Sequence, residues 1–600
     1  MNSKTEKTPP TIDPEKLSRS MQEFAERGQR IAQAFIERSH NNDGFQVPDP
    51  MVISKAFMEL GQQMMSDPAK LVETQAKYWK DYAELWQVTA KRMNGEKVEA
   101  VAEPKTGDRR FKDEAWSDEL VFDFIKQSYL LTSDWMQQTV HDVDGMDEKT
   151  AQKVQFYTRQ YIDAMSPSNF IATNPVVLRE TTKSGGENLL DGMENLLGDL
   201  EKGKGELRIS MTDEEAFTLG ENVATTPGKV IFENELMQLI QYEPSTKKVR
   251  ATPLLIVPPW INKFYVLDLQ PKNSFIKWAV DQGNTVFVIS WVNPGEELSD
   301  KSFDDYMLKG PLAALDAMEK ACGQKKTNIV GYCIGGTLTA CTLAYMAAKK
   351  DNRVKSATFL TTMIDFSDPG ELGVFIDEEQ LDLMEEHMKQ KGYLEGSHMS
   401  TVFNMMRDND LIWSFVVNNY LMGRRPLPFD LLYWNSDSTR MPVMMHSYYL
   451  RNMYLKNKLV EPGAISLGGE PIDLGKIKTP TYILSTRDDH IAPWQSTYAS
   501  TGLYSGPKRF VLSASGHIAG VVNPPAKDKY CYWTNAKTPK NPDIWLEASK
   551  QHQGSWWPDW DKWLKKYAGG KEVAARKPGS GKLKALEDAP GSYVKVRIRN

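Results

Sequence analysis

The chain has 600 residues, 40% of them apolar and 25% charged, with a net charge of −6 and four cysteines. That length exceeds one ordinary domain, the composition is that of a globular protein, and the acidic balance argues against a general nucleic-acid binder. Cys322, Cys333, Cys341 and Cys531 are too few and too scattered for a disulfide framework or a metal cluster; no window has the apolar run that spans a bilayer, and MNSKTEKTPPTIDPEK lacks a signal-peptide core, so a cytoplasmic chain is expected.

In chain order, the first ten or so residues are polar and expected to be disordered. A helix is predicted from Pro14 to Ser39, with Leu17, Met21, Phe24, Ile31 and Phe35 on one face. A second runs from Lys70 to Met93 and presents Leu71, Tyr78, Tyr82, Leu85, Trp86 and Met93. Such stripes pack on each other or on a partner subunit, or they bind a hydrophobic particle or an amphipathic partner protein. Val98 to Asp108 reads as a polar linker, after which helical patterns resume through Tyr129, Phe156 and Tyr161 and end in the turn from Ser166 to Phe170. Residues 1–225 are therefore expected to form a mainly helical domain.

Near Thr225-Thr226-Pro227-Gly228 the texture changes. Lys229–Glu233 and Glu235–Tyr242 read as paired strands, followed by the apolar Pro253–Val257. Strand candidates at Thr285–Ser290, Thr327–Gly331, Ser356–Thr361, Thr481–Ser485 and Lys508–Ser513 then alternate with helices, the rhythm of a mostly parallel sheet covered on both faces. This α/β domain is expected over residues 226–568. A helical insertion rich in Phe, Met, Trp and Tyr, about 366–446, interrupts it where a lid or cap would sit. Trp556-Trp557-Pro558-Asp559-Trp560 reads as packing on the last helix, and residues 569–600 as a linker and C-terminal tail.

The chemistry centres on Gly331-Tyr332-Cys333-Ile334-Gly335-Gly336, a G-x-nucleophile-x-G pattern between a strand and the small-residue helix Thr337–Lys349. This is the nucleophile elbow of the α/β-hydrolase fold, with cysteine in place of serine. In that fold the acid and then the histidine follow the nucleophile. Asp489 lies in the loop after Thr481–Ser485, with Asp488 adjoining it, and His517 lies in Gly516-His517-Ile518-Ala519-Gly520 after Lys508–Ser513. His490 shares the strand-end position, whereas His387, His398 and His446 fall in the cap and His40 and His141 come too early. One oxyanion donor is expected at the Ile334 N–H, and a second near Trp260 or Ile261, after Leu254–Val257, with Ile261 the chosen candidate. Cys322, Cys341 and Cys531 lack a matching base and read as structural. A thiol attacking a thioester yields another thioester of nearly equal free energy, which suits acyl transfer better than hydrolysis.

Further segments accompany these: Asp108-Arg109-Arg110-Phe111 with Trp116, Ser168-Asn169-Phe170 with Thr173-Asn174-Pro175, and Val257-Pro258-Pro259 with Ile261-Asn262-Lys263. Ser290-Trp291 with Asn293-Pro294, the run from Phe429 to Asn435, Asp489-His490-Ile491 and Gly554-Ser555-Trp556-Trp557-Pro558 complete the set. Together they resemble the polyhydroxyalkanoate synthases, specifically the single-subunit class I enzymes, over nearly the whole chain. Trp260 departs from the family by sitting where other members vary. The resemblance implies polymerisation of an (R)-3-hydroxyacyl-CoA, by analogy short-chain such as 3-hydroxybutyryl-CoA, with release of CoA and no cofactor or metal. It implies a chain carried on Cys333, deprotonation by His517, and Asp489 either activating the substrate hydroxyl or orienting His517. Trp434 resembles a family aromatic near the pocket, a packing role being equally open. A homodimer, association with polyester granules and contacts with phasin-like granule proteins are also implied. The rival readings are a cysteine-dependent thioesterase or esterase of the same fold, and a non-catalytic granule scaffold.

Overall fold

A computed structural model of the chain describes residues 14–41 and 48–597, so the polar leader lies outside the described residues. The chain divides into two units, one from residues up to Asp213 with Thr401–Leu427, the other from Glu214–Ser400 with Pro428–Arg599. The aromatic insertion expected over 366–446 is thus shared between the two units. No helix among the described residues is long and apolar enough to cross a membrane.

The first unit is helical, and its helix starts are written in the sequence. Asp49-Pro50, Asp67-Pro68 and Asn174-Pro175 each place an N-capping oxygen before a proline that needs no N–H partner. The Asp49 side chain accepts from Met51 N at 2.7 Å and the Asp67 side chain from Lys70 N at 3.1 Å, opening the helices Pro50–Ser66 and Pro68–Met93. The stripe predicted on the second of these splits in two. Leu85 is fully buried and Tyr78 and Tyr82 are half-buried, but Trp86 and Met93 are exposed with Val72 and Trp79. Residues seven apart return to one helix face, so 72, 79, 86 and 93 form an outward row of their own. On Pro14–Asn41, Leu17, Met21 and Phe35 are likewise exposed. Arg110 reaches Asp108 and Asp163, each at 2.9 Å, and Trp116 is fully buried against Phe111, so this motif packs the helical unit. The segment Thr401–Leu427 closes on the helix Glu187–Lys202, where Asn188 Nδ2 donates to Leu421 O at 2.7 Å.

The second unit is built on an eleven-stranded sheet. Its strands are β1 (Gly228–Glu233), β2 (Met237–Tyr242), β3 (Leu254–Val257), β4 (Val286–Trp291), β5 (Thr327–Tyr332), β6 (Val354–Leu360), β7 (Thr481–Thr486), β8 (Lys508–Ser513), β9 (Cys531–Thr534), β10 (Lys550–Gln553) and β11 (Glu587–Asp588). Their spatial order is β10-β9-β8-β7-β6-β5-β3-β4-β2-β1-β11. Strands β3 to β8 pair in parallel, with Val257 opposite Gly331, Tyr332 opposite Leu360 and Leu484 opposite both Leu360 and Val511. The flanking strands pair antiparallel. The central strands β3, β4, β5 and β7 are buried along their length, as expected for a sheet covered on both faces.

Residues 569–597 are more than a linker. Glu572–Ala574 pairs with Lys248–Arg250, and β11 extends the sheet edge beside β1. Their Gly, Lys and Pro content conceals this, because a short edge pairing uses main-chain groups and asks little of the side chains. The tryptophans Trp556, Trp557 and Trp560 are fully buried at the start of the helix Trp557–Leu564.

Candidate active site

Parallel strands end on the same edge of a sheet, so loops widely separated in sequence meet there. Cys333 follows β5, Asp489 lies three residues beyond β7, and His517 four beyond β8. Cys333 has φ +53° and ψ −127°, a conformation rarely adopted by a residue with a side chain, and it caps the helix Ile334–Ala348. Three glycines permit the turn. A Cβ on Gly331 would lie 2.5 Å from Gly336 Cα, one on Gly335 would meet Val257 O and, at 2.6 Å, Pro258 O, and one on Gly336 would run into the Thr362 hydroxyl. The helix therefore starts against the end of β3, beside the loop predicted to supply the second oxyanion donor.

His517 is buried, and its Nδ1 lies 2.8 Å from Asp489 Oδ2. The imidazole also lies close enough to the Cys333 sulfur to interact with it. Burial disfavours the charged ring, but the Asp489 carboxylate and the Cys333 sulfur outweigh it and push His517 up to about 10. Burial likewise opposes ionisation of Asp489; the neighbouring His517 and two backbone N–H groups outweigh it and hold the carboxyl below its usual value. Every polar contact of Asp489 is taken: Oδ1 accepts from Ile491 N and Ala492 N, each at 2.9 Å, and Oδ2 accepts from Thr486 Oγ1 at 2.9 Å as well as facing His517. Its side chain has no exposed area.

The loop carrying His517 is anchored from behind. Trp556 Nε1 donates to Gly520 O at 3.0 Å and Trp557 Nε1 to Val521 O at 2.9 Å, while Tyr332 stacks on the imidazole with ring centroids 5.7 Å apart. These indoles thus combine packing with support of the histidine. Two residues that sequence reasoning passed over, Tyr449 and Tyr454, lie near enough to feel the Cys333 sulfur. Both pack against Phe366, Tyr449 buried and Tyr454 half-buried, and they escape a reading of the sequence because they lie just past the aromatic-rich insertion expected to end near 446.

Ile334 opens its helix, so its N–H belongs to the first turn, whose donors have no intrahelical acceptor. Ile261 lies in the loop after β3, with its carbonyl accepting from Thr439 N at 3.2 Å. Trp434 is buried and donates from Nε1 to Lys263 O at 2.6 Å, bracing that same loop. His446 is buried and held neutral, pushed down to about 4 by desolvation. Burial pushes the Cys341 thiol up to about 12, and Cys322 upward as well. Among the described residues, no group of three or more His, Cys, Asp or Glu is placed to hold a metal ion.

Comparison with known proteins agrees with this architecture. Residues 107–279 match the family described as the poly-beta-hydroxybutyrate polymerase (PhaC) N-terminus, and residues 252–524 match the alpha/beta hydrolase fold. The chain is 49% identical over 588 residues to the poly(3-hydroxyalkanoate) polymerase subunit PhaC of Rhizobium meliloti (strain 1021), covering 98% of this chain and 96% of that one. It is 45% identical over 535 residues to the subunit of the same name from Cupriavidus necator, covering 88% and 89% respectively. Among solved structures, the alpha/beta hydrolase GrgF from Penicillium sp. sh18 is similar at 15% identity and a TM-score of 0.30, over 47% of this chain and 87% of that one. With near-full-length identity at this level, the chain belongs to the poly(3-hydroxyalkanoate) polymerase family.

Proposed function

We propose that this protein is a class I polyester synthase that polymerises (R)-3-hydroxyacyl-CoA, with 3-hydroxybutyryl-CoA as its preferred size class, and releases CoA. The observation that carries the mechanism is the meeting of the half-buried Cys333 with the buried His517–Asp489 pair at the end of the parallel strands. His517, whose protonated form Asp489 favours, takes the Cys333 proton before the sulfur attacks the thioester carbonyl. The tetrahedral oxyanion is met by the Ile334 N–H and the Ile261 N–H, and its collapse expels CoA thiolate, which takes the proton back from His517. The acyl unit stays on Cys333 as a thioester. In the second half, His517 takes the proton from a 3-hydroxyl group, whose oxygen attacks a thioester carbonyl; an ester forms, and the expelled thiolate is reprotonated.

Asp489 acts through His517. Its oxygens are occupied by His517, Thr486 and two backbone N–H groups, which leaves none directed at a substrate hydroxyl. The Tyr449 and Tyr454 rings, with Phe366 packed against both, favour transfer over hydrolysis, because they limit water at the acyl-enzyme. The outward row Val72, Trp79, Trp86 and Met93 supports contacts of the helical unit with a second copy, with the polyester granule or with phasin-like proteins.

The test is to mix purified protein with (R)-3-hydroxybutyryl-CoA and follow free CoA and turbidity together, with Cys333→Ala as control. CoA release with rising turbidity, both absent in the variant, is expected. Soluble 3-hydroxybutyrate as the sole product would mean a thioesterase, and silence across longer acyl chains a scaffold.

A further inference from the structure

Several motifs that the triad does not use converge on one buried point beneath the loop carrying Ile261. Lys263 ends that loop, and its ammonium, 3% exposed, meets three oxygens: Asp437 Oδ1 at 2.7 Å, Val594 O at 2.8 Å and Val596 O at 2.9 Å. Asp437 is as deeply buried, and its other oxygen accepts from Tyr265 OH at 2.9 Å. Arg597 approaches Asp437 Oδ1 at 3.5 Å and lies over the Tyr433 ring, 4.5 Å from its centroid. Asn293 Nδ2 donates to Val596 O at 3.3 Å, and its Oδ1 accepts from Arg440 N at 3.0 Å.

The loop itself is held at each residue. Thr439 Oγ1 donates to Trp260 O and to Ile261 O, Asn262 bridges Ser438, and Trp434 Nε1 donates to Lys263 O. A buried ammonium is costly unless its charge and its donors are all met, and here two of the three oxygens come from residues 594–596. The carboxylate serves two cations, so the 594–597 segment and the 434–439 segment are tied together through the loop they flank.

We propose that the 594–597 segment is a strap for the active site, with Lys263 and Asp437 as positioning residues that hold the second oxyanion donor against the helix start at Ile334. This rests on the polymerase reading above. It assigns the last described residues a part in acyl transfer, and gives a purpose to a buried lysine that touches no reacting atom. The strap acts on the carbonyl oxygen and leaves the thiol and imidazole alone. Acylation by a thioester builds an oxyanion, whereas alkylation of the same sulfur by iodoacetamide displaces iodide and builds none.

The experiment compares wild type, Arg597→Gln and a chain ending at Tyr593, measuring first-turnover CoA release and alkylation of the Cys333 peptide by mass spectrometry. Arg597 is partly exposed, so its variant tests the idea without emptying the buried site. In the truncated chain we expect first-turnover CoA release to fall at least about tenfold with KM little changed, since a displaced donor acts on the transition state. Arg597→Gln should show a smaller fall in the same direction. Alkylation of Cys333 should stay within about twofold of wild type in both, and the peptide spanning residues 587–597, added in trans, should restore part of the lost CoA release. Unchanged CoA release in both variants would overturn the strap, as would CoA release and alkylation falling together. A wild type that is alkylated at Cys333 yet releases CoA from no hydroxyacyl-CoA would instead sink the polymerase reading, and the strap with it.

Discussion

Replacing Asp489 by asparagine probes the site most sharply. Oδ1 accepts two backbone N–H groups at 2.9 Å, so the amide of an asparagine must keep its oxygen there and turn its NH2 toward His517. A donor facing Nδ1 drives the imidazole proton to the nitrogen beside Cys333, and the ring can no longer accept the thiol proton. The charge also disappears. The rise of His517 from 6.5 to about 10 favours its protonated form by on the order of 5 kcal/mol, and the Asp489 carboxylate is the main cause of that rise. Without that carboxylate, burial acts on the ring with far less opposition. We expect Asp489→Asn to lower first-turnover CoA release by about 10³-fold or more, the scale of a wrong tautomer in a triad, with the fold intact. The assay is rapid-mix release of CoA from (R)-3-hydroxybutyryl-CoA, beside elongation followed by turbidity. A variant acylated within about tenfold of wild type would refute the orienting role. If it then failed only in elongation, Asp489 would belong to the substrate hydroxyl.

Two further outcomes follow from the geometry. Gly336→Ala places a methyl group on the Thr362 hydroxyl, an overpacking that should cost about 1–3 kcal/mol and shift the elbow, read as a lower Tm with reduced CoA release; wild-type values for both would mean the close approach is relieved at no cost. His517 also links stability to pH. Its folded pKa lies above 6.5, so the folded state binds the proton more tightly, and this contribution is complete below pH 6.5 and lost as pH rises through about 10. The urea midpoint of wild type should therefore exceed that of His517→Gln most at the acidic end of this window and converge toward its alkaline end; a gap that widens with pH would contradict the assignment.

Much of the site is legible without the fold. Cys333, Asp489 and His517 each follow an apolar strand in the order an elbow demands, and the glycines around Cys333 mark where side chains cannot fit. The starts of the helices Pro50–Ser66, Pro68–Met93 and Pro175–Ser184 stand in Asp-Pro and Asn-Pro pairs. These signals are local: a strand, a cap or a turn is specified by a few adjacent residues. The edge strands Cys531–Thr534 and Lys550–Gln553 are not visible in this way, because each is four residues long, the second is wholly polar, and pairing decides them: β8 holds the first, and the first holds the second.

By itself, then, the chain determined an α/β-hydrolase core, a cysteine at the elbow position and the order in which Asp489 and His517 follow it, since periodicity and turn chemistry act over a handful of residues. Tertiary structure decided the rest. It divided the stripe of Pro68–Met93 into an inward row and an outward one, because neighbouring helices cover only one face. It filled the hydrogen-bonding capacity of Asp489, which depends on where Thr486, Ile491 and Ala492 turn back. It also brought Lys263, Asp437 and Val596 together across more than three hundred residues, and the reason is physical: a buried charge is satisfied by whatever oxygens the fold delivers, and no local pattern records which ones those are.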